Sequence, residues 1–282
     1  MQEVGGKVAF ITGGASGIGL GIAKAFADAG MRLALADIGE RALGEAERFF
    51  AARGVPCRTL LLDVRDRAGW ARAVAEAEAA LGPIAILCNN AGVGDLAPTT
   101  AIDLAQWDWV LGVNLGGVVN GVHAILPGLL ARGAGHIVNT ASDAVFRAHP
   151  GSGAYCVAKA GVVQLTELLK NDLAGRGVGV TVLCPGLVRT NIVDNFLNQR
   201  PPEAPASERV RQTHARMARL VTAGLDPDIV GRKVLQAVRN DRLYLFTDSA
   251  IKRHVEARSR DLIAAVAEVD DYNSEEALAA RS

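Results

Sequence analysis

Tyr155 and Lys159 stand four residues apart in Tyr155-Cys156-Val157-Ala158-Lys159. On a helix that spacing places a phenol and an ammonium on one face. A free phenol ionises at a pKa of about 10, too high for a base at neutral pH, and a nearby cation lowers it by roughly 1–3 units. The pair can therefore trade a proton with a substrate oxygen, although the same spacing also arises by chance on many helices. Thirteen residues earlier, Ser142 closes Asn139-Thr140-Ala141-Ser142 at the end of an apolar run. The carboxyl edge of such runs is where α/β sites assemble. Cys156 turns about 100° away from Tyr155 on the helix and reads as inert.

A second group is Thr12-Gly13-Gly14-Ala15-Ser16-Gly17-Ile18-Gly19, which follows the first apolar run and precedes an amphipathic segment. Glycines at such a turn let backbone N–H groups approach a pyrophosphate at a helix N-terminus. The alternative is a tight strand-to-helix turn without a ligand. Asp37 lies 18 residues beyond Gly19, at the end of the second apolar run. An acid there accepts both ribose hydroxyls of an adenosine and repels a 2′-phosphate, which favours NAD over NADP. Ala15 and Ser16 offer no positive charge to that phosphate, and Arg41 reads as part of a solvated helix face.

These residues need a scaffold, and the hydrophobic pattern supplies one. Strands are expected at 7–12, 32–36, 57–62, 84–88, 135–140, 178–184 and 242–246, and helices at about 17–30, 40–53, 66–81, 101–131, 153–175, 226–240 and 248–268. Continuous apolar strands alternating with helical segments predict an α/β fold: a doubly wound, seven-stranded parallel sheet with helices on both faces. Gly30 is placed just past the end of the first helix, and Asp66 and Asp103 are expected N-caps. Pro127 predicts a kink or early stop. Segment 187–225, with Pro201, Pro202 and Pro205, fits no strand and is expected to be a mobile flap over the site. The chain divides into a catalytic Rossmann domain at 1–247, containing this lid, and a helical extension at 248–282.

The ordered motifs together resemble the short-chain dehydrogenase/reductase family, in its NAD-using branch, over nearly the whole chain to about residue 246. They are the Thr12–Gly19 turn, Asp63-Val64, Asn89-Asn90-Ala91-Gly92, Asn114 in Gly112-Val113-Asn114, the Ser142, Tyr155 and Lys159 set, and Pro185-Gly186 with Thr190. The resemblance implies that Tyr155 exchanges the proton of an alcohol or carbonyl oxygen. Lys159 would lower the Tyr155 pKa and bond the nicotinamide ribose, and Ser142 would stabilise charge on the substrate oxygen. Asn114 would hold a water linking Lys159 to solvent. Gly13, Ser16, Gly17, Ile18 and Gly19 would cradle the cofactor, Asp63 and Val64 would flank its adenine, and Asn90, Ala91 and Gly92 would lie along it. Pro185, Gly186, Val188 and Thr190 would meet the nicotinamide. Asn114 and Asn90 keep a structural alternative, one bonding backbone in a kinked helix and the other pinning two strands.

The implied reaction is hydride transfer between NAD(H) and a secondary alcohol or ketone. The expected pocket draws on Val93, Leu96, Val145, Phe146, His149, Leu187, Ile192 and Phe196, mostly apolar, which suits an aromatic, alicyclic or steroid-like substrate better than a sugar. The end of the chain is similar to a subgroup that includes dehydrogenases of lignin-derived aryl-ether alcohols. His149 has an incidental reading beside the substrate one. Three rival readings are an NADP-dependent carbonyl reductase, a dinucleotide-binding sensor without catalysis, and a membrane-surface lipid enzyme anchored by the 249–269 helix, which Glu256, Arg258, Arg260, Asp261 and Glu268 make too mixed in charge for a strong case.

The 282 residues are half apolar and about a fifth charged, and 30 Lys and Arg balance 30 Asp and Glu. That balance gives no global pull toward nucleic acid or an anionic membrane. Cys57, Cys88, Cys156 and Cys184 form no CxxC pair and read as buried thiols in a reducing cytosol. No metal is expected. The N-terminal run is too short and lacks the cleavage site of a signal peptide, so a soluble cytoplasmic protein is expected. The family likeness implies a homotetramer or homodimer, with helices 101–131 and 153–175 at one interface.

Overall fold

The computed structural model describes residues 1–95, 99–147, 152–198 and 208–272. Seven strands form one parallel sheet: β1 Val8–Thr12, β2 Arg32–Asp37, β3 Cys57–Leu61, β4 Ile84–Asn89, β5 Gly135–Thr140, β6 Val178–Cys184 and β7 Tyr244–Phe246. Their order is β3-β2-β1-β4-β5-β6-β7, every neighbouring pair parallel. The order reverses between β1 and β4, which opens a crevice at their carboxyl ends, the general ligand position of such sheets.

The helices are α1 Gly17–Asp28, α2 Glu40–Ala51, α3 Arg67–Leu81, α4 Leu104–Leu111, α5 Gly117–Arg132, α6 Ala144–Arg147, α7 Gly153–Asp172, α8 Ile192–Asn198, α9 Glu208–Thr222, α10 Pro227–Arg239 and α11 Lys252–Tyr272. All five residues of β1 are buried, and they alternate between two cores as a pleated strand requires. Ala9 and Ile11 pack with Ile22, Phe26, Phe50 and Val234 on the face covered by α1, α2 and α10. Val8 and Phe10 pack with Trp70, Ile125, Leu129 and Leu169 on the face covered by α3, α5 and α7. The continuous apolar strands are thus a consequence of cover on both sides.

α1 and α10 meet through glycines. A Cβ on Gly21 would lie 2.2 Å from the Pro227 carbonyl oxygen, and one on Gly231 would lie 2.0 Å from that of Gly21. Only hydrogens at these positions let the two backbones touch. Gly30 follows the end of α1 with φ of 78°, Asp66 stands at the N-cap of α3, and Asp103 accepts from Gln106 N at the start of α4.

Three expectations are corrected. The single helix at 101–131 is instead α4 and α5 joined by a π-helical turn, Gly112–Gly116. Pro127 does not stop α5, which runs to Arg132 and ends on Gly133 in the left-handed region. Pro127 and His123, the residue whose carbonyl loses its partner, are both exposed, so water replaces the missing N–H. The lid is not structureless: its described part holds α8 and α9, while Pro201, Pro202 and Pro205 lie outside the described residues.

The lid is also closed at its base. Val188 and Leu225 form a parallel bridge, Arg189 N donates to Leu225 O and Leu225 N to Leu187 O, each at 2.9 Å. Arg189 and Asp226 form an ion pair beside them. The run Leu104–Arg132 is long and apolar enough to cross a membrane. Here it is a core helix pair, with Val110, Val122, Ile125 and Leu129 buried.

Candidate active site

The glycine-rich turn leaves β1 at Thr12 and enters α1 at Gly17. Gly13 and Gly17 have φ of 61° and 50°, a region that side chains disfavour. A Cβ on Gly19 would lie 2.0 Å from the Gly13 oxygen. Ser16 occupies the N-cap without a side-chain capping bond, and the first turn of α1 carries no acid. The orphan N–H groups of that turn therefore suit an external anion. Ile18 is the partly buried residue that keeps this turn against the core. Asp37, at the end of β2, is held from both sides: Ala15 N donates to Oδ2 at 3.3 Å and Gly39 N to Oδ1 at 3.1 Å.

Across the crevice, Thr12 Oγ1 accepts from Asn90 N and Ala91 N at 2.9 and 3.0 Å. The Asn90 amide donates to Thr12 O at 3.1 Å, and its oxygen accepts from Thr140 Oγ1 at 3.4 Å. Asn90 thus ties the ends of β1, β4 and β5. Asp63 binds the Arg65 guanidinium, which holds its carboxyl below the usual range. Val64 is buried against Gly117, and its carbonyl accepts from Trp70 Nε1 and Asn120 Nδ2 at 3.0 Å each. Pro185 O accepts from Asp143 N, and Gly186 N donates to Thr247 Oγ1, each at 3.0 Å. Thr190 reaches back to the glycine-rich turn, its methyl 3.0 Å from where a Gly17 Cβ would stand. The turn, the strand ends and the base of the lid therefore surround one crevice.

Ser142, Tyr155 and Lys159 meet on its floor. Ser142 and Lys159 are buried, and Ser142 hydrogen-bonds the Tyr155 phenol. Lys159 Nζ donates to Thr140 O at 2.7 Å and lies 5.9 Å from the Tyr155 ring centre. Gly92 passes so close that a Cβ would sit 3.4 Å from Lys159 Nζ and 3.0 Å from Asn114 Oδ1. Asn114, in the π-helical turn, clamps Val93: its Nδ2 donates to Val93 O and its Oδ1 accepts from Val93 N, both at 2.8 Å. These two bonds fit the structural alternative for Asn114, and they leave one amide hydrogen and one lone pair of its oxygen for a further partner.

Burial pushes the Tyr155 phenol up to about 12, with the Ser142 hydrogen bond opposing and the Asp143 carboxylate adding to the rise. Burial also brings Lys159 down to about 8. In this arrangement the ammonium bonds the Thr140 carbonyl, and burial is the largest influence on both groups.

Of the expected pocket residues, Leu96 and His149 lie outside the described residues. Val145 and Ile192 are half-buried and Leu187 is 48% exposed. Val93 and Phe196 are buried in a satellite core, with Phe196 stacked on Trp109 at 6.1 Å. Tyr155 packs against the same cluster. A cavity of about 160 Å³ lies within the base of the lid, bounded by Arg189, Thr190, Asn191, Val193, Ala218, Val221 and Thr222.

Two networks escaped the sequence reading. Asn89 Nδ2 donates to Asn139 Oδ1 at 2.9 Å and Asn139 Nδ2 to Thr166 Oγ1 at 3.0 Å, tying β4, β5 and α7 inside the core. Arg147 binds Asp143 at 2.7 Å and Asp248 at 3.2 Å, and Arg258 of α11 donates to Val145 O at 3.2 Å. The extension thereby braces the segment that follows Ser142. Only the acid beside Ser142 hinted at this in the sequence.

Comparison with known proteins agrees with this geometry. A family model described as short chain dehydrogenase matches residues 7–201. C alpha-dehydrogenase of Sphingobium sp. is 32% identical over 274 residues, covering 96% of this chain and 90% of that one. Oxidoreductase UcpA of Escherichia coli is 40% identical over 210 residues, or 73% of this chain and 79% of its own length. The crystal structure of a short chain dehydrogenase/reductase from Burkholderia phymatum in complex with NAD matches with a TM-score of 0.90 at 37% identity, covering 94% of this chain and 97% of that one.

Proposed function

The chain is an oxidoreductase belonging to the short chain dehydrogenase family, and from there we propose that it interconverts a secondary alcohol and a ketone with NAD(H). The observation that carries this reading is the meeting of Ser142, Tyr155 and Lys159 beside Gly92, on the floor of the crevice that the glycine-rich turn opens.

The residues fit a dinucleotide. The uncapped first turn of α1 and the glycines before it suit a pyrophosphate, and Gly92 leaves room beside Lys159. Asp37 is held in place to receive ribose hydroxyls, while Arg41 points to solvent, 90% exposed and paired with Glu45. That arrangement supports NAD over NADP, as does the similarity to a structure in complex with NAD. When bound, NAD(H) supplies the hydride acceptor or donor.

The chain's own residues manage the proton. Ser142 donates toward a substrate oxygen and stabilises charge developing on it. At neutral pH the Tyr155 phenol is protonated and set to donate to a carbonyl; for alcohol oxidation its proton must first leave. Lys159 ties α7 to the end of β5 and holds positive potential beneath the site.

Phe146, 5.5 Å from the Phe246 ring, and Leu187 favour an aromatic or alicyclic substrate. Near full-length similarity to a C alpha-dehydrogenase supports an alcohol as the substrate class. The exposed Val119, Val157 and Leu168 on α5 and α7 support assembly into a homodimer or homotetramer.

The test is an alcohol panel of aryl carbinols, hydroxysteroids, alicyclic diols and hydroxy acids, read by NADH absorbance. Oxidation of apolar secondary alcohols is expected, with Tyr155→Phe nearly inactive and still binding NADH. Undiminished activity of that variant, or activity confined to polar polyols, overturns the reading.

A further inference from the structure

We propose that Asp95 is a positioning residue for Tyr155, capping the helix that carries the phenol from a loop 59 residues away in sequence from the bond it makes. The inference rests on the role given to Tyr155 above.

α7 begins at Gly153. Its N-cap residue, Ser152, makes no side-chain capping bond, and its first turn has no acid. A helix start with neither leaves orphan N–H groups that need an acceptor. Asp95 supplies it: Oδ2 accepts from Ala154 N at 3.1 Å, one residue before Tyr155. The Asp95 backbone joins in, its carbonyl accepting from Ser152 Oγ at 3.2 Å. A negative charge at this point also complements the positive end of the helix dipole.

Asp95 is only 3% exposed, so its charge demands a structural reason. Its second oxygen accepts from Gln106 Nε2. Gln106 is buried on α4, and its backbone N–H is bound by Asp103 at 2.7 Å. One carboxylate therefore bridges α4 and the first turn of α7, which explains an acid with two acceptor atoms. The loop that carries Asp95 is itself pinned, since Asn114 clamps Val93 two residues earlier. On the other side, Gly153 lies against Thr99, where a Cβ would fall 2.3 Å from Oγ1. The chain of contacts runs from the π-helical turn through Val93 and Asp95 to the residue preceding Tyr155. It sets where the phenol stands relative to Ser142 on β5, and reaction rates fall about 10²-fold for a misplacement of about 1 Å.

The experiment compares Asp95→Ala, Asp95→Asn and Tyr155→Phe, using the fastest alcohol of the panel and NADH fluorescence titration. Asp95→Ala is expected to lower kcat at least about tenfold, with KM and the NADH Kd within about threefold, because it moves the reacting phenol and not the binding surfaces. Asp95→Asn keeps an oxygen for Ala154 N and is expected to restore most of the rate. Rates are expressed per NADH-binding site, so loss of folded protein does not mimic the effect. If Asp95→Ala does not fold, Gln106→Ala, which frees only the α4 side of the bridge, must show the same kcat-only signature. Wild-type kcat in the folded variant, equal losses in the Ala and Asn variants, or a loss residing in KM or NADH binding overturns the proposal. An active Tyr155→Phe instead overturns the catalytic reading itself, whatever Asp95 does.

Discussion

Lys159 and Thr140 share a buried hydrogen bond, ammonium to main-chain carbonyl, across 19 residues of sequence. It joins the middle of α7 to the end of β5, the strand that delivers Ser142. Replacing Lys159 by Met keeps the length of the side chain and removes the donor. The Thr140 carbonyl would lose that partner, and the crevice would lose its cation. Turnover should fall by about 10²-fold or more, with Tm lower. Steady-state rates and a thermal melt check both.

His136 predicts an acid-sensitive core. Thr181 Oγ1 donates its proton to Arg242 O, so it accepts from His136 Nε2 at 2.8 Å and the ring is the Nε2–H tautomer. Nδ1 is buried without a hydrogen bond, 3.8 Å from Asp241. Burial lowers the pKa to about 4 from an ordinary 6.5. The folded state therefore resists protonation that the unfolded chain accepts below about 6.5, and stability present above that pH is lost as pH falls toward 4. The loss from this residue reaches up to about 3 kcal/mol. Melting temperatures of the wild type should decline from pH 6.5 to 4 more steeply than those of His136→Gln.

The role proposed for Asp37 on the adenosine side of the site is open to a direct test. Substituting Ser for Asp37 removes the charge that repels a 2′-phosphate, and Arg at the neighbouring Ile38, 49% exposed, supplies one that attracts it. The double variant should shift the ratio of kcat/KM for NADP over NAD by about 10²-fold or more, since a removed repulsion and a gained ion pair act together. Unchanged preference would show that Asp37 does not govern the choice.

Two glycine-to-alanine changes should move stability in opposite directions. Gly44 lies on α2 with only the flexible Arg48 guanidinium near its would-be Cβ, at 3.6 Å, so alanine should stabilise by about 0.5–1 kcal/mol through helix propensity. At Gly231 the same methyl meets backbone of α1 at 2.0 Å and must force α1 and α10 apart, lowering Tm markedly. Thermal melts of the two single variants distinguish them.

Much of the architecture was legible in the sequence because its cause is periodic. Strands buried on both faces show as continuous apolar runs, and the glycine turn, Ser142, Tyr155 and Lys159 stand at fixed offsets from them. What remained hidden depends on long-range pairing. Asp95 and Gln106 look like ordinary polar residues until α4 and α7 are brought together. The π-helical turn at Gly112–Gly116 leaves the helical pattern of 101–131 nearly unbroken, because one extra residue shifts the apolar stripe by only one position. In the lid, Pro201, Pro202 and Pro205 stand just before α9, a helical stretch whose apolar residues are few.

The bridge between Val188 and Leu225 bears on how this protein can change over evolution or in the laboratory. Because the two ends of the lid meet and are bonded there, the lid leaves and rejoins the scaffold at a single point. The entropy of closing such a loop grows only with the logarithm of its length, by about 0.6 kcal/mol per doubling. Changes of length or chemistry in the part of the lid beyond Phe196, whose ring packs on Trp109, therefore leave the bonded base and the sheet in place, and substrate range can be varied there without refolding the scaffold.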